Sequence, residues 1–428
     1  MINLRAGVAK NKFDIPPGFR MGGYDNRESG NTGTHDNLYT KSLALDDGKN
    51  TLVIITNDLL AIDGEMTAII RRKIRHQTGI PEYNILVCAS HTHSGPDLYM
   101  DGFISIALDQ ATRELRTALT HTILENALNS LEHMCPAGLY IGKSFCSKIA
   151  ANRIDPALPS DPSINVLQVV NEAGETIAVL INYTCHPTVL GADNLLISAD
   201  FPGAAERILE EHFMGKAVAL FSNGACGNQS TRFTRRSQDF EEVERMGNLL
   251  AKSAIEAMEN AVSCGDVELR AASRVVELPI RKLPPIEEAL EHLKEAKELK
   301  DKAIAEKRPF SETRLAFTRY QGAYITVKMI ESGKLCKNLS GEIQILKIGD
   351  VELIGLPVEL FVEYGLSIKQ KSRSKNPIII GYANDYLGYV YTPEEAKRGG
   401  YEAWASPFAS EAGTVLVEQV LSIEEKIY

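Results

Sequence analysis

Residues 51–96 constrain the fold most. Thr51 to Ile55 reads as a buried strand, Gly64 to Thr78 as an amphipathic helix, and the apolar run Tyr83 to Cys88 as a second buried strand. This strand–helix–strand order implies at least part of a parallel sheet. The second strand runs into Ser90-His91-Thr92-His93-Ser94, which Gly95-Pro96 ends with turn chemistry. Side chains alternate along an extended segment, so His91 and His93 are expected on one side and Thr92 on the other. Two imidazoles at the end of a buried strand suit the start of a metal site. A hydrogen-bonded turn accounts for the pair equally well, because His-x-His recurs in many unrelated proteins.

The same reading extends along the chain. Strands are predicted over Arg5–Lys12, Leu38–Leu45, Gly138–Lys143, Ile164–Val170, Ile177–Asn182, Ala217–Phe221 and Pro377–Tyr382. Asp109–His133 and Glu241–Ala261 are predicted helices, and Glu342–Ile348 with Val351–Leu356 a hairpin around Gly349-Asp350. Asp200 has the placement of an N-cap before Pro202. The expected fold is α/β: a mixed, partly parallel sheet with flanking helices, in a single catalytic domain over 1–428. Residues 284–334 stand apart as a charged antiparallel helical hairpin inserted into that domain. It is expected to be a solvated insertion, with a lid or a contact between copies as the alternative. The long unperiodic loop Met21 to Asp36 favours a functional role over a linker.

Several partner classes are excluded. A net charge of −10 and a pI near 5.5 argue against nucleic acid and anionic membrane surfaces, which want clustered Lys and Arg. Seven cysteines without a C-x-x-C pair fit a reducing compartment. The N-terminus has no long apolar stretch, and no apolar run approaches the roughly 20 residues of a membrane span. The protein is expected in the cytoplasm.

Four predicted strand ends offer ligand-type groups: His91, His186, Glu359 and a tyrosine near 389. Nitrogen and oxygen donors together suit zinc. Taken singly, each has a plainer reading: core histidine, helix N-terminal carboxylate, core tyrosine. Their joint placement after buried strands favours a site.

The chain resembles the neutral, non-lysosomal ceramidase family. The resemblance is carried by Arg5-Ala6-Gly7-Val8 with Met21-Gly22-Gly23-Tyr24, by Ser90 to Pro96, and by Asn182-Tyr183-Thr184-Cys185-His186-Pro187-Thr188. Pro357-Val358-Glu359 and Asn384 to Glu402 complete it. It implies Zn2+ held by His91, His186, Glu359 and Tyr389. His93 would then be an acid/base or oxyanion group, Tyr401 would stand beside the scissile carbonyl, and Arg153 would belong to the site. Ser230 falls on the family's active-site serine, although Asn228 and Thr231 replace that segment's aspartate and proline. Nothing pairs Ser230 with an activating base, so it is expected to position substrate or water.

The resemblance thus implies a zinc-dependent hydrolase that cleaves a carboxamide with metal-activated water. An esterase or lactonase on the same site is the alternative enzyme, since both share a tetrahedral oxyanion. A catalytically degenerate metal-binding protein is the non-enzyme alternative. An amidohydrolase barrel would place His-x-His after its first strand, and here two or more strands precede it. The family's C-terminal immunoglobulin-like domain and a secretion signal look absent. The expected substrate is therefore a small-molecule amide or ester, smaller than ceramide. A homo-oligomer formed through the helical insertion is a further expectation.

Overall fold

The apolar runs of the first hundred residues form adjacent strands. β1 (Arg5–Lys12), β2 (Tyr39–Asp46) and β3 (Thr51–Asn57) pair antiparallel. Helix α1 (Gly64–Thr78) then crosses over, and β4 (Ile85–Ala89) joins β3 in parallel. Local chemistry fixes both ends of α1: Asp63 accepts the Met66 N–H, and Gly79 at φ 79° closes the helix. This computed structural model describes residues 4–24, 26–98, 108–333 and 338–427. Lys334, the last residue of the expected insertion, lies outside them.

After α2 (Gln110–Glu132), the sheet continues with β5 (Cys135–Phe145), β6 (Ser163–Asn171) and β7 (Thr176–Tyr183). Helix α3 (Asp200–His212) leads to β8 (Val218–Asn223), which pairs with β7 in parallel. The order across the sheet is β8-β7-β6-β5-β1-β2-β3-β4, with Val262–Ser263 added on β5 after α4 (Phe240–Glu259).

A second sheet holds β9 (Leu269–Pro279), β10 (Asn338–Ile348), β11 (Val351–Gly355) and β12 (Asn376–Ile380), in that order. β11 and β12 are parallel across α7 (Val362–Lys371). Helices α5 (Ile286–Ala305) and α6 (Phe310–Ser332) are inserted between β9 and β10. α8 (Pro393–Arg398), α9 (Tyr401–Ala405) and α10 (Ala412–Ile427) complete the described chain.

The layering follows from strand alternation. Leu43, Leu45 and Leu86 of the first sheet share one buried cluster with Leu346, Leu353 and Ile380 of the second. The opposite faces carry Val53, Ile55 and Val87 under α1 and α2, Val179 and Phe221 under α3 and α4, and Ile345 and Ile379 under α7 and α10. The result is helix, sheet, sheet, helix. Among the described residues no helix is long and apolar enough to cross a membrane, and all six cysteines are free.

Two expectations are corrected. Asp200 is the first residue of α3 rather than its N-cap, and its backbone is left-handed (φ 56°). Its carboxylate accepts the N–H groups of Phe201, Val189 and Leu190, so it ties the chain after His186 to the helix start. The insertion is also more than a solvated hairpin. Gly322 of α6 packs so closely on Trp404 that an added Cβ would lie 2.5 Å from it. Arg281 links Thr326 of α6 to the carbonyls of Trp404 and Ser406.

A charged cluster centred on Lys41 lies wholly inside the fold. Lys41, 1% exposed, reaches both oxygens of Asp58 at 2.9 Å and Glu206 at 2.5 Å.

Candidate metal centre

The three parallel pairs of the two large sheets, β3–β4, β7–β8 and β11–β12, send loops from their C-terminal ends to one region, where ligands bind in open α/β sheets. β4 ends at Ala89, yet the next residues are not extended: His91 has φ 69°. The expectation that strand alternation aligns His91 and His93 is therefore corrected. Their rings do meet, at 4.9 Å between centroids, because the backbone turns. Tertiary hydrogen bonds hold that turn: Ser90 N–H donates to the Asn57 carbonyl and His91 N–H to that of Leu59. Tyr382 (φ 54°) and Asn384 (φ 65°) beyond β12 share the left-handed conformation. Each such residue costs about 1–3 kcal/mol and persists where its surroundings over-determine it.

Buried Asn223, at the end of β8, ties the two histidine segments together. Its amide donates to the Ser90 and Cys185 carbonyls and accepts the Cys185 N–H. His186 thereby sits 4.8 Å from His91, ring centroid to centroid. One ring nitrogen from each of His91, His93 and His186 falls within 4.8 Å of the others, all three residues buried.

The hydrogen bonds assign the tautomers. His91 Nδ1 lies 2.8 Å from the Leu60 carbonyl and His186 Nδ1 2.7 Å from that of Cys226. A carbonyl only accepts, so both Nδ1 atoms carry a proton, and in the neutral ring Nε2 is then the nitrogen that presents a lone pair. His186 Nε2 is 3.0 Å and His91 Nε2 3.5 Å from the same oxygen, Glu359 Oε2. Burial pushes the His91 imidazole down to about 3, against the pull of Glu359. Burial would raise the Glu359 carboxyl, but His91, His186 and a Tyr386 hydrogen bond hold it at about 2. The downward shift leaves His91 neutral, and its Nε2 lone pair faces the carboxylate oxygen that His186 Nε2 also approaches. Acceptors facing an acceptor are satisfied by a cation, so this donor set fits one.

His93 differs. Its Nε2 is 3.3 Å from His91 Nε2, and its buried Nδ1 has no hydrogen-bond partner. Burial, with His91 and His186 nearby, holds its imidazole well below the ordinary value.

Glu359 and Tyr389 are neighbours through a two-residue parallel pairing, Glu359 opposite Tyr389 and Leu360 opposite Val390. Burial raises the Tyr389 phenol well above its ordinary value, and Arg153 opposes the shift. The Arg153 guanidinium lies over the Tyr389 ring at 5.4 Å and donates to Glu402 at 2.7 Å. Tyr401 meets Tyr389 edge-on at 5.9 Å. Ser230, 4% exposed, pairs with Ala151 and bridges to His186; its hydroxyl accepts the Arg232 N–H at 3.3 Å. His93, Arg153, Ser230, Tyr389 and Tyr401 line one cavity of about 750 Å³, closed on one side by Thr313, Leu315, Phe317, Thr318 and Gln321 of α6. His91, His186 and Glu359 are buried behind that lining, each no more than 2% exposed.

Sequence reasoning missed the residues that hold these groups. Tyr386 donates to Glu359 Oε1, and Tyr382 to Oε2 at 3.3 Å while stacking on His91 at 3.9 Å. Arg27 donates to the His93 and Gly22 carbonyls. Gly23 (φ 85°) has no room for a side chain, since an added Cβ would fall 2.3 Å from His93 Nδ1. The Gly-Gly-Tyr loop and the Asn384–Tyr389 stretch were visible signals, but partners this distant in sequence were not. Gly227 lets the backbone approach the Glu359 carbonyl rather than a ligand, its added Cβ falling 2.5 Å from that oxygen. Asn228 accepts the Val362 N–H and donates to Glu363, so it caps α7. Thr231 bonds the Thr188 carbonyl.

The chain is 23% identical to the neutral ceramidase of Pseudomonas aeruginosa, over 95% of this chain and 70% of that one. It is 22% identical to the neutral ceramidase of Mycobacterium tuberculosis, over 95% and 74%. The crystal structure of the Pseudomonas aeruginosa neutral ceramidase superposes with a TM-score of 0.78 at 20% identity, covering 100% of this chain and 75% of that one, so the fold is shared. The family model for the neutral/alkaline non-lysosomal ceramidase N-terminal region matches residues 16–244, a span holding His91, His93, Arg153, His186 and Ser230. With just over half of its length matched, the chain belongs to the neutral/alkaline non-lysosomal ceramidase family.

Proposed function

We propose that the protein is a zinc-dependent hydrolase of a carboxamide bond, with His91, His186, Glu359 and Tyr389 holding the ion. One observation carries the reading: two carbonyl-locked imidazoles aim Nε2 lone pairs at one buried carboxylate oxygen. Their nitrogen and oxygen donors suit zinc. When bound, such an ion supplies a Lewis acid and lowers the pKa of a water ligand.

The chain's own residues do the rest. His93 carries protons between nucleophile and leaving group, since no carbonyl locks its tautomer. Arg153, fixed by Glu402 and Tyr389, faces the reacting carbonyl with Tyr401. Ser230 positions substrate or water, as its hydroxyl touches no base among the described residues. The substrate is smaller than ceramide: a cavity of about 750 Å³ with arginines in its wall suits a compact polar amide better than a two-chain lipid. The free cysteines support a reducing, cytoplasmic setting. Exposed Leu290, Leu299 and Ile304 on α5 support a contact between copies through the insertion, which sedimentation of the full chain checks.

The test pairs elemental analysis with a panel of short and long N-acyl amides, matched esters and long-chain ceramide. Stoichiometric zinc, with chelation abolishing amide cleavage and short amides giving the higher kcat/KM, is expected. Preference for esters or ceramide would overturn the corresponding part. Ser230→Ala is expected to retain turnover above background, and a trapped Ser230 acyl-enzyme would refute its positioning role.

A further inference from the structure

The cavity leading to the histidine cluster carries a charge the rest of the chain does not prepare for. The whole chain has a net charge of −10, yet three arginines, Arg153, Arg232 and Arg235, line this cavity. Two carboxylates line it with them, Glu402 and Asp193. Glu402 is engaged by Arg153 at 2.7 Å, and Asp193 acts on Arg27. Arg232 and Arg235 have no ion-pair partner among the described residues.

Both are held in place all the same. Arg232 donates one N–H to the Arg153 carbonyl at 3.3 Å and lies over the Phe233 ring at 5.2 Å. Arg235 donates to the Thr188 carbonyl, two residues past His186. Each contact uses a fraction of the five N–H donors of a guanidinium. Burial lowers the Arg232 pKa, and the like charges of Arg153 and Arg235 lower it further, against Glu402. Half-buried like charges on one wall raise the free energy of the empty cavity. A bound anion relieves that repulsion and takes the unused donors in the planar, paired geometry that favours arginine over lysine.

Placement makes this a matter of substrate choice. Both arginines follow Ser230 within five residues, on the loop that brings Ser230 beside His186. The turn over residues 231–235 is held by the Thr234 and Arg235 N–H groups, both donating to the Thr231 carbonyl. Phe317 and Leu315 of α6 line the same cavity and offer apolar surface to the remainder of a ligand.

We propose that the substrate carries an anionic group, a carboxylate or a phosphate, which Arg232 and Arg235 bind while its amide lies at the histidine cluster. This rests on the amide-hydrolase reading above.

Uncleavable sulfonamides separate the two claims. Calorimetry on the full metal-loaded protein compares five compounds. N-(2-hydroxyethyl)octanesulfonamide is neutral, N-octylsulfonylglycine carries a carboxylate on the amine half, and the phosphate ester of the first carries a phosphate. A sulfonamide with a carboxylate on the acyl half, 3-(butylsulfamoyl)propanoate, is compared with its primary amide. At least one anion should bind tenfold or more tightly than its neutral partner, with that preference shrinking as salt rises. In the Arg232→Gln/Arg235→Gln protein the preference should fall below about threefold, with neutral affinity unchanged, and the double lysine variant should recover part of it. Which anion wins identifies carboxylate or phosphate, and the half that bears it. Equal binding of all compounds, or a preference that survives the glutamine pair, would overturn the proposal. The matching cleavable amides report on the other reading. Anion-selective binding without any amide cleavage would sink the hydrolase and leave the anion site standing; cleavage without charge preference would do the reverse.

Discussion

In the His186→Ala protein, bound metal should fall from about one ion per chain to near zero, and amide cleavage should fall with it by more than the ~10–100-fold typical of losing an outer-shell partner. Each tenfold loss is about 1.4 kcal/mol of transition-state stabilisation. His186 is fully buried, its Nδ1 fixed by the Cys226 carbonyl and its Nε2 3.0 Å from Glu359. The alanine protein loses a lone pair that no neighbour replaces. Two controls give the outcome its meaning. His93→Ala should keep its metal while turnover falls by about 10²–10⁴, the usual worth of a positioned acid/base. Tyr386→Phe, which removes the hydrogen bond to Glu359 Oε1, should weaken metal binding by about 10–100-fold. Near-native circular dichroism, with His186→Gln as a variant closer in volume, separates site loss from unfolding. Should His93→Ala release the metal as His186→Ala does, three imidazoles hold the ion and His93 is not the proton carrier. Should His186→Ala keep both metal and turnover, there is no metal centre here.

The second large effect lies away from the site. Lys41→Met should destabilise the fold by about 3–5 kcal/mol, because removing one member of a buried ionic cluster leaves uncompensated charge. Lys41, Asp58 and Glu206 are all within 2% of full burial, and the intact cluster sets two carboxyl groups against one ammonium. Burial raises the Glu206 carboxyl to about 8, with Lys41 opposing. The folded state therefore binds a proton that the unfolded chain releases near 4.5, the ordinary value. Glu206's contribution is full below about 4.5 and is lost as pH rises through about 8, so on its account stability falls with pH across that window. Glu206→Gln should flatten this slope, and denaturant unfolding between pH 5 and 8 measures both effects. A Lys41→Met protein within about 1 kcal/mol of the parent would mean that water reaches the cluster and screens it.

How much of this was legible differs element by element. α1 spans Gly64–Thr78 and β1 spans Arg5–Lys12, the bounds the sequence pattern predicts, because a capping aspartate, a terminal glycine and unbroken periodicity are local signals. The apolar pattern starts a strand at Tyr83, but residues 82–84 form a single 3-10 turn after Pro81, and the strand begins at Ile85. His91 and His186 stood out because each follows a buried strand directly. Tyr382, Tyr386, Asn223 and Arg27 did not, since their roles exist only as contacts with Glu359, Ser90, Cys185 and His93.

By itself the sequence determined most of the strands and helices, though not β9, the first parallel crossover, and which strand ends carry histidine, glutamate and tyrosine. Periodicity and capping act over a few residues, and a chain declares them wherever it is read. The tertiary structure alone decided that His91 turns into the left-handed region, that carbonyls of Leu60 and Cys226 choose which imidazole nitrogen stays bare, and that α6 walls the cavity beside Arg232. Those outcomes depend on groups tens to hundreds of residues apart meeting at 3 Å, which packing of the two sheets imposes and no local pattern encodes.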